Sequence, residues 1–391
     1  MRSNYKAIGE LVERVDIRNT DGSIDTLIGL SIEKCFIRSV ANTIGTDLTK
    51  YKKIQKNQFA VSLMQVSRDE KIPVACLKEF DEAIMSPAYS IFQIIDENVL
   101  LPEYLDMWFK RSEFDREAAF IAVGGVRGSM PWEEFAKMKL PVPPIEKQRS
   151  IVNAYQTITD RIALKRKINE KLVTIGIASI QKNIGRGALI NLTDADMERV
   201  ILPEGFSIKT VSEFCKETKS GSTPSRTNNE YWGNGTIPWV KSGEVHNNIT
   251  LQTDEHITPL GLSESSTKLL PRDTVLMAMY GVTAGEVGYL AIEATTNQAI
   301  CGMICHTKAE SAYLYFSLIQ SQTAISRLSN GGAQDNLSKN FIDGIKIVVP
   351  PSEYIEKLNL VAIIQQMILN TKEIALLEEL QSTVLAQLAS H

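Results

Sequence analysis

Polar and aromatic side chains are concentrated in residues 219–244, which read KSGSTPSRTNNEYWGNGTIPWVKSGE. Ser, Thr and backbone N–H groups bind phosphates, whereas Arg and Asn pair bidentately with guanine and adenine edges. Arg226 and Lys241 are therefore candidate contacts to a nucleic acid, with solvated surface charge as the alternative. Trp232 and Trp239 are expected instead to pin a long surface loop. The chemistry that this stretch offers is recognition rather than catalysis.

A second cluster, Cys301-Gly-Met-Ile-Cys305-His306, is the candidate metal site of the sequence. Its cysteines are separated by three residues, its neighbours are apolar, and no second Cys/His pair accompanies it. A buried strand without metal is the expectation. The N-terminal residues carry charges where an export signal would be apolar, so the five cysteines are expected to be reduced in a cytoplasmic protein.

Catalytic motifs are missing from the sequence. It contains no GxGxxG after a strand, no GxxxxGK[ST], no HExxH and no GxSxG, and only four histidines. The glycine-rich run beginning at Gly124 is interpreted as a turn, because its third glycine, Gly128, has no counterpart in the second copy of this block described below. An enzyme with two lobes stays open as an alternative, although no histidine recurs between the two halves.

Size and charge limit the classes of protein further. The chain has 391 residues, 43% hydrophobic and 23% charged, which indicates two or three soluble domains. No apolar stretch is long enough for a membrane span. The net charge of −4 is not that of a protein that holds DNA by charge alone. Phosphate contacts would need local basic surface or a partner.

The chain contains an internal repeat. GGVRGSMPWEEFAKMKLPVPP from Gly124 aligns without a gap with GGAQDNLSKNFIDGIKIVVPP from Gly331. YKAIGELVE near the N-terminus likewise matches SIKTVSEFC, which pairs Ile8 with Val211. Such self-similarity indicates a duplication. Further aligned pairs are Met130 with Leu337, Phe135 with Ile342, Met138 with Ile345, and Glu10 with Glu213.

Each copy has the pattern of a globule followed by a helix. Strand-like runs are QFAVSLMQV, YSIFQII, TVLMAMYGV, GYLAI and IKIVV, and helical runs are PEYLDMWFKRSEF and SAYLYFSLIQSQTAISRL. Apolar residues then recur every three or four positions from Glu146 to about Ile184 and from Glu353 onward, with a polar break near Thr371-Lys372. The two helices are predicted to pack against each other; the alternative is that each packs on its own globule.

The motifs from residue 219 and from the two Gly-Gly turns resemble those of the specificity (S) subunits of type I restriction–modification systems. The globule–helix–globule–helix order extends the resemblance over nearly the whole chain. It implies two α/β (α+β) target recognition domains, joined by two long helices in an antiparallel coiled coil with pseudo-twofold symmetry. The expected segments are recognition domain 1 (residues 1–144), spacer helix region 1 (145–200), recognition domain 2 (201–351) and spacer helix region 2 (352–391).

The resemblance also implies function. Each recognition domain would read one half of a bipartite, asymmetric site in double-stranded DNA, and the paired helices would set the gap between the halves. The helices would also dock two modification (M) subunits, which bind S-adenosylmethionine and methylate adenine. Restriction (R) subunits would supply ATP- and Mg-dependent cleavage. The chain itself would be non-catalytic and bind no cofactor or metal. A coiled-coil adaptor without nucleic acid is a further alternative.

Candidate DNA contacts are polar residues of the loops and strand ends. The first globule lacks a copy of the GSTPSR stretch, so its candidates come from the Gly-Gly turn and a probable strand end: Gln65, Ser67, Arg68, Arg127 and Ser129. In the second they are Ser222, Thr223, Ser225, Arg226, Lys241, Ser242, Tyr280, Gln334, Asn336 and Lys339. The spacer and docking helices are represented by Ile151, Ile158, Ile162, Leu172, Leu358, Val361, Ile368 and Leu380.

Overall fold

The computed structural model describes residues 4–39, 46–64, 66–123, 128–184, 188–189, 201–246, 249–329 and 336–390. The chain divides into two units. Unit 1 comprises Met1–Arg161 together with Leu377–His391, and unit 2 comprises Ile162–Leu376. Neither unit coincides with one of the four predicted segments, because the long helices contribute residues to both.

Unit 1 is a mixed α and β structure with one main antiparallel sheet in the order β2-β9-β6-β7. Its strands are β1 (Tyr5–Ala7), β2 (Val12–Val15), β3 (Ile28–Leu30), β4 (Phe36–Arg38), β5 (Lys52–Gln55), β6 (Phe59–Val61), β7 (Val74–Cys76), β8 (Glu82–Met85), β9 (Ser90–Ile94) and β10 (Lys139–Pro141). Its short helices are α1 (Val66–Asp69), α2 (Pro102–Phe109), α3 (Ser112–Ile121) and α4 (Trp132–Lys137). The long helix α5 (Ile145–Ile184) begins in this unit.

Unit 2 repeats this plan with a main sheet in the order β13-β20-β17-β18-β15. Its strands are β11 (Ala188–Leu189), β12 (Ser207–Thr210), β13 (Glu217–Ser220), β14 (Ile237–Val240), β15 (Ile249–Thr250), β16 (Glu255–Ile257), β17 (Thr274–Ala278), β18 (Val287–Leu290), β19 (Thr295–Thr296), β20 (Ile300–Ile304) and β21 (Lys346–Val349). Its helices are α6 (Val211–Phe214), α7 (Pro259–Ser263), α8 (Lys308–Ser329), α9 (Lys339–Asp343), α10 (Ser352–Lys357) and α11 (Leu360–Gln387), of which α11 ends in unit 1.

The duplication predicted from the sequence is confirmed by matching hydrogen bonds. The amide of Ile8 donates to the carbonyl of Met138 at 2.8 Å, and the amide of Val211 donates to that of Ile345 at the same distance. The strands before the two double prolines also pair alike, β1 with β10 and β12 with β21, both antiparallel. Each stiff proline pair therefore follows a strand that is hydrogen-bonded to the strand near the start of the same half.

The two halves differ in the helix that covers the main sheet. In unit 2, α8 runs without interruption for 22 residues, whereas the matching region of unit 1 is divided into α2 and α3. Arg111 has an extended backbone with ψ of 136° at the division. Its guanidinium lies 4.1 Å from the ring centroid of Trp108. The sequence pattern predicts both helical regions correctly and does not reveal the break.

The long helices pack against each other in an antiparallel arrangement, as predicted. Within unit 2, Lys165 on α5 forms an ion pair with Glu373 on α11 at 2.8 Å, and Asn169 accepts a hydrogen bond from Asn370 at 2.8 Å. Partners thus advance along one helix as they recede along the other. Within unit 1, Gln381 donates to the hydroxyl of Thr159 at 2.7 Å.

The alternative, packing on the globules, is also realised. Gly176 of α5 approaches the ring of Phe316 on α8 so closely that a Cβ there would lie 2.4 Å from a ring carbon. Ile180 is fully buried in the core of unit 2. Leu388, in the 3₁₀ turn after α11, is 1% exposed in the core of unit 1. Each helix therefore serves both as a partner of the other helix and as a part of the globular cores.

The polar break in the apolar pattern near Thr371-Lys372 does not interrupt the helix. Helix α11 continues through Thr371 and Lys372, where Thr371 donates its hydroxyl proton to the carbonyl of Met367. The break in the helix lies between α10 and α11, because Asn359 adopts a left-handed φ of 54°. A local hydrogen bond thus satisfies the polar residue that interrupts the apolar pattern.

The expectation that no stretch is long enough for a membrane span does not hold for helix α11, which is long and apolar enough, by length and composition only, to cross a membrane. A helix that packs against other helices passes the same test. Leu360, Ile364 and Met367 on this helix are buried in the core of unit 2.

Candidate nucleic-acid interface

Two tryptophans hold the polar loop of unit 2 that follows β13. The indole N–H of Trp239 donates to the carbonyl of Ser222 at 3.0 Å, and that of Trp232 donates to Ser225 at 3.1 Å. The two rings pack edge to face with centroids 5.0 Å apart. The expectation that these tryptophans pin the loop is confirmed. Their polar edges are satisfied by the loop backbone, so the rings organise it from beneath.

Arg226 lies against this aromatic pair. Its guanidinium carbon is 3.6 Å from the ring centroid of Trp232 and 4.9 Å from that of Trp239. It also forms an ion pair with Glu255, whose pKa is lowered chiefly by the hydrogen bond from Arg226. About half of the Arg226 side chain remains exposed. The stacked cation is held in one orientation, with part of its hydrogen-bonding edge toward solvent.

Lys241 shares the same acidic partner. Its ammonium group lies 3.0 Å from Asp254 and 3.5 Å from Glu255, and the hydrogen bond to Asp254 raises its pKa. Ser242 follows it at the start of a 3₁₀ turn. The positive charges of this loop are therefore balanced locally by carboxylates. An incoming phosphate would have to compete with Asp254 and Glu255 for these cations.

The hydroxyl residues of the loop lie where neighbouring strands of the main sheet end. Strand β13 ends at Ser220 and β17 ends at Ala278, beside the start of β20. Ser222 donates its backbone N–H to Thr296, and the hydroxyl of Thr223 donates to Gln298 at 2.5 Å. Ser225 pairs with Thr227 at 2.8 Å.

Tyr280 and Asn336 reach the same strand ends from β17 and from the repeated block. They form an isolated β-bridge, and 39% of Tyr280 is exposed. The structure therefore brings Ser222, Thr223, Tyr280 and Asn336 together along the ends of three neighbouring strands. Lys339 does not join them, because its ammonium group is bonded to Thr218 within β13 and to Asp343.

In unit 1, Ser67 and Arg68 lie in the short helix α1 and not at a strand end as predicted, because the strand β6 ends already at Val61. Gly128 has a left-handed φ of 72°, and a Cβ there would lie 2.4 Å from the hydroxyl of Ser67, so this glycine permits the close approach. Ser129 follows it. Arg68 is exposed and its Nε lies 2.7 Å from Asp69. Three further candidates, Gln65, Arg127 and Gln334, lie outside the described residues, as do both Gly-Gly turns.

The helix positions differ in burial. Ile158 and Ile162 are buried, at 9% and 5% exposed, whereas Leu380 is 48% exposed. The narrow seam predicted for α11 therefore does not include Leu380, nor Leu376, which is 66% exposed. The remaining positions are partly buried against the core of their own unit: Ile151 in unit 1, and Leu172, Leu358, Val361 and Ile368 in unit 2.

The cysteine cluster is a strand, as predicted. Cys301 is fully buried in β20, and burial raises its pKa to about 12. Cys305 at the end of this strand lies 3.9 Å from Cys215, sulfur to sulfur. Within the described part of the chain, no group of three His, Cys, Asp or Glu side chains is arranged to hold a metal ion.

Several residues of the interface escape sequence reasoning. Gln298 and Glu255 each bind a candidate residue from a distant part of the chain, 75 residues from Thr223 and 29 from Arg226. Neither belongs to a motif, and no local pattern marks them. Their role depends on strand pairing, which brings these segments together.

Known proteins resemble the chain in sequence and in fold. The family model described as type I restriction modification DNA specificity domain matches residues 203–381. The EcoR124I/EcoR124II specificity subunit of Escherichia coli is 24% identical over 286 residues, covering 70% of this chain; the match spans 65% of that subunit's length. The HindI specificity subunit of Haemophilus influenzae is 22% identical over 376 residues, covering 79% of this chain and 81% of the relative.

A solved structure shares the fold. The crystal structure of the S subunit of a type I restriction–modification system from M. genitalium aligns with a TM-score of 0.53 at 14% identity. The alignment covers 98% of this chain and 95% of that one. The duplicated framework, the family model and these relatives agree. Residues 203–381 match the type I restriction modification DNA specificity domain, and the chain is similar in sequence to the specificity subunits of type I restriction–modification systems.

Proposed function

We propose that the chain is the DNA sequence-recognition subunit of a type I restriction–modification complex, in which each unit reads one half of a bipartite, asymmetric site. The observation that carries this proposal is the matched framework of the two units. In each, the repeated block is tied to the end of a buried central strand, and polar side chains gather at that end. With one recognition surface in each unit, the chain suits a DNA site that consists of two separated half-sites.

The paired helices serve as the spacer that sets the gap between the two half-sites, and they dock two modification subunits. Support for docking comes from large apolar side chains that the helices leave exposed. Leu164 and Ile175 on α5 are 57% and 54% exposed, and Leu369 and Leu376 on α11 are 59% and 66% exposed. These side chains are available for contact with a partner protein on both helices.

Catalysis belongs to the partner subunits. The modification subunits bind S-adenosylmethionine and methylate adenine, and restriction subunits use ATP and Mg²⁺ for cleavage, in the cytoplasm. The chain itself binds no cofactor. Its net charge is −4, and carboxylates already engage Arg226 and Lys241. The modification subunits therefore share the phosphate contacts when they close around the DNA.

The test is a methylation profile of genomic DNA from cells that produce the modification subunits with and without this chain. We expect one bipartite motif that depends on the chain. Exchanging residues 1–144 for the first domain of another family member should replace one half of the motif and keep the other. Absence of any chain-dependent motif, or replacement of both halves, contradicts the proposal.

The complex and the isolated chain also distinguish the proposed function from two alternatives, a coiled-coil adaptor and a two-lobed enzyme. A coiled-coil adaptor without nucleic acid predicts no salt-dependent DNA binding by the complex, whereas a DNA reader weakens steeply as salt rises. A two-lobed enzyme predicts turnover by the isolated chain.

A further inference from the structure

Met64 and Tyr280 occupy equivalent places in the two units. Met64 follows Leu63, whose carbonyl accepts the amide of Met130 at 2.8 Å. Tyr280 follows Met279, whose carbonyl accepts the amide of Leu337 at 2.8 Å. Met130 and Leu337 are aligned in the sequence repeat. The two residues thus stand one position beyond the same backbone hydrogen bond, just after the central strands β6 and β17.

Both side chains are large and are left open to solvent at this place. Met64 is 50% exposed and Tyr280 is 39% exposed. The backbone around them is held by its neighbours. Tyr280 forms a β-bridge with Asn336, and Met130 and Leu337, whose amides bond to the preceding residues, are almost fully buried. The backbone that carries each exposed side chain is therefore held in a fixed position by the repeated block.

The surroundings of both residues are those of the candidate interface. Near Met64, the hydroxyl of Ser67 faces Gly128, while Tyr280 shares its sheet edge with Thr223 and Asn336. Val282, two residues beyond Tyr280, is fully exposed. Each unit thus places an apolar side chain among polar ones at the same strand end.

The chemistry of these side chains favours contact with the bases of DNA over contact with its phosphates. A thioether and the face of a phenol ring offer nothing to a phosphate, which prefers cations and N–H or O–H donors. The one phosphate donor of the pair is the hydroxyl of Tyr280, which the substitution Tyr280→Phe removes while it keeps the ring. Bases do offer apolar groups, namely the thymine methyl and the aromatic faces and C–H edges of the rings. Because the two side chains differ in shape, they would also favour different bases in the two halves.

We infer that Met64 and Tyr280 are specificity-determining residues that make an apolar contact with a base, Met64 in one half-site and Tyr280 in the other. The inference rests on the proposed function. It goes beyond that function in assigning one equivalent base-reading position to each unit.

The test compares the substitutions Met64→Ala and Tyr280→Ala in the complex of the full chain with its modification subunits. Each variant should lower discrimination at one base pair of one half-site about fourfold or more, from the loss of buried apolar contact. Discrimination in the other half should stay at the wild-type level. The salt dependence of binding should be unchanged, because no phosphate contact is removed.

Matched controls are available in both units. Ile37 on β4 is 50% exposed, like Met64, and Leu269, which precedes the strand that Tyr280 follows, is 38% exposed. Ile37→Ala and Leu269→Ala should leave the methylated motif unchanged. Tyr280→Phe should keep the wild-type preference, since it preserves the ring. Thermal unfolding of each variant establishes that it is folded.

The outcomes separate the inference from the proposed function. If the wild-type complex methylates a bipartite motif and both alanine variants retain its base preferences, the inference is wrong and the proposed function stands. A change in both halves from one substitution, or a uniform loss over all sequences, also overturns it. If the wild-type complex has no motif that depends on this chain, the proposed function itself fails.

Discussion

Asn370 of α11 and Asn169 of α5 face each other inside the helix pair of unit 2, with the amide nitrogen of Asn370 donating to the amide oxygen of Asn169 at 2.8 Å. Asn370 is 1% exposed. Its own oxygen accepts hydrogen bonds from Lys165 at 3.2 Å and Gln366 at 3.1 Å. A buried amide with this many partners has one favourable register, because a shift of either helix would leave polar groups without bonds.

Replacing this amide should weaken the helix pair. Asn370→Ala removes one acceptor of Lys165 and the donor to Asn169, both partly buried, so we expect the free energy of unfolding to fall by about 1–3 kcal/mol. Denaturant unfolding measures it. Asn153→Ala, at an exposed position of α5, is the control and should change stability by less than about 0.5 kcal/mol. The double substitution Asn169→Leu with Asn370→Leu should recover much of the loss. An unchanged stability of Asn370→Ala would contradict the assigned role.

Buried thiols should make stability fall at alkaline pH. Burial raises the pKa of Cys76 and of Cys301 to about 12, from an ordinary value near 9. A group whose pKa is higher in the folded state stabilises the fold fully below its unfolded value, and this contribution is lost as pH rises between the two values. Each thiol should therefore cost about 1.4 kcal/mol per pH unit between pH 9 and 12.

Urea unfolding at pH 8 and pH 10 checks this dependence. Cys301→Ala should flatten the decline, and Cys301→Val, which also lacks the thiol but fills more space, should flatten it equally. A substitution that acted only through packing would lower stability by the same amount at both pH values. Such a parallel shift would count against the thiol as the titrating group.

The ion pair between Glu255 and Arg226 should restrain DNA binding. Glu255→Gln removes the carboxylate that engages both Arg226 and Lys241, so phosphate contacts should strengthen and the salt dependence of binding should steepen by about one unit of slope. Binding of the complex at several salt concentrations measures both quantities. Asp81→Asn, which removes an exposed carboxylate in unit 1, is the charge-matched control. Weaker binding of Glu255→Gln would mean that the ion pair supports the loop more than it masks its charge.

Arg226→Ala should reveal what the stacked guanidinium does. A loss of about 1–3 kcal/mol confined to one base pair is expected if the exposed part of Arg226 reads a base. Competition binding against single-base variants of the site measures it. A uniform loss over all variants would instead identify a phosphate contact.

Lengthening the helix pair should lengthen the gap in the DNA site. Four residues inserted after Lys167 in α5 and after Lys372 in α11 add about one turn of 5.4 Å to each helix. At about 3.4 Å per base pair the gap should grow by one or two base pairs. Methylation profiling reads the gap directly. Insertion into α5 alone should disturb the pairing and reduce stability, and an unchanged gap after the double insertion would argue against the spacer role.

Much of the fold is predictable because it depends on local pattern and on the repeat. The apolar run around Leu276 predicts a buried strand, the periodicity after Glu146 predicts α5, and the alignment of Ile8 with Val211 predicts equivalent hydrogen bonds. The order of the strands is not local. The division between α2 and α3 at Arg111 also lacks a signal, since neither Pro nor Gly marks it.

The candidate site was predicted less completely for the same reason. Ser222, Arg226 and Tyr280 were found through residue type and motif. Gln298 and Glu255 act through partners far away in the sequence, which only the strand pairing reveals. Met64 belongs to no polar motif, and its place is apparent only once the hydrogen bond to Leu63 is known.

The burial of Leu388 in the core of unit 1 has a consequence for biosynthesis. The last turn of the chain packs there, and the hydroxyl of Tyr5 donates to the carbonyl of Ala389. The C-terminal residues that complete unit 1 are therefore synthesised last, after the ribosome has translated all of unit 2. We expect nascent chains and nonsense variants that stop before Leu377 to lack a finished first half, although every codon up to Arg161 has been read.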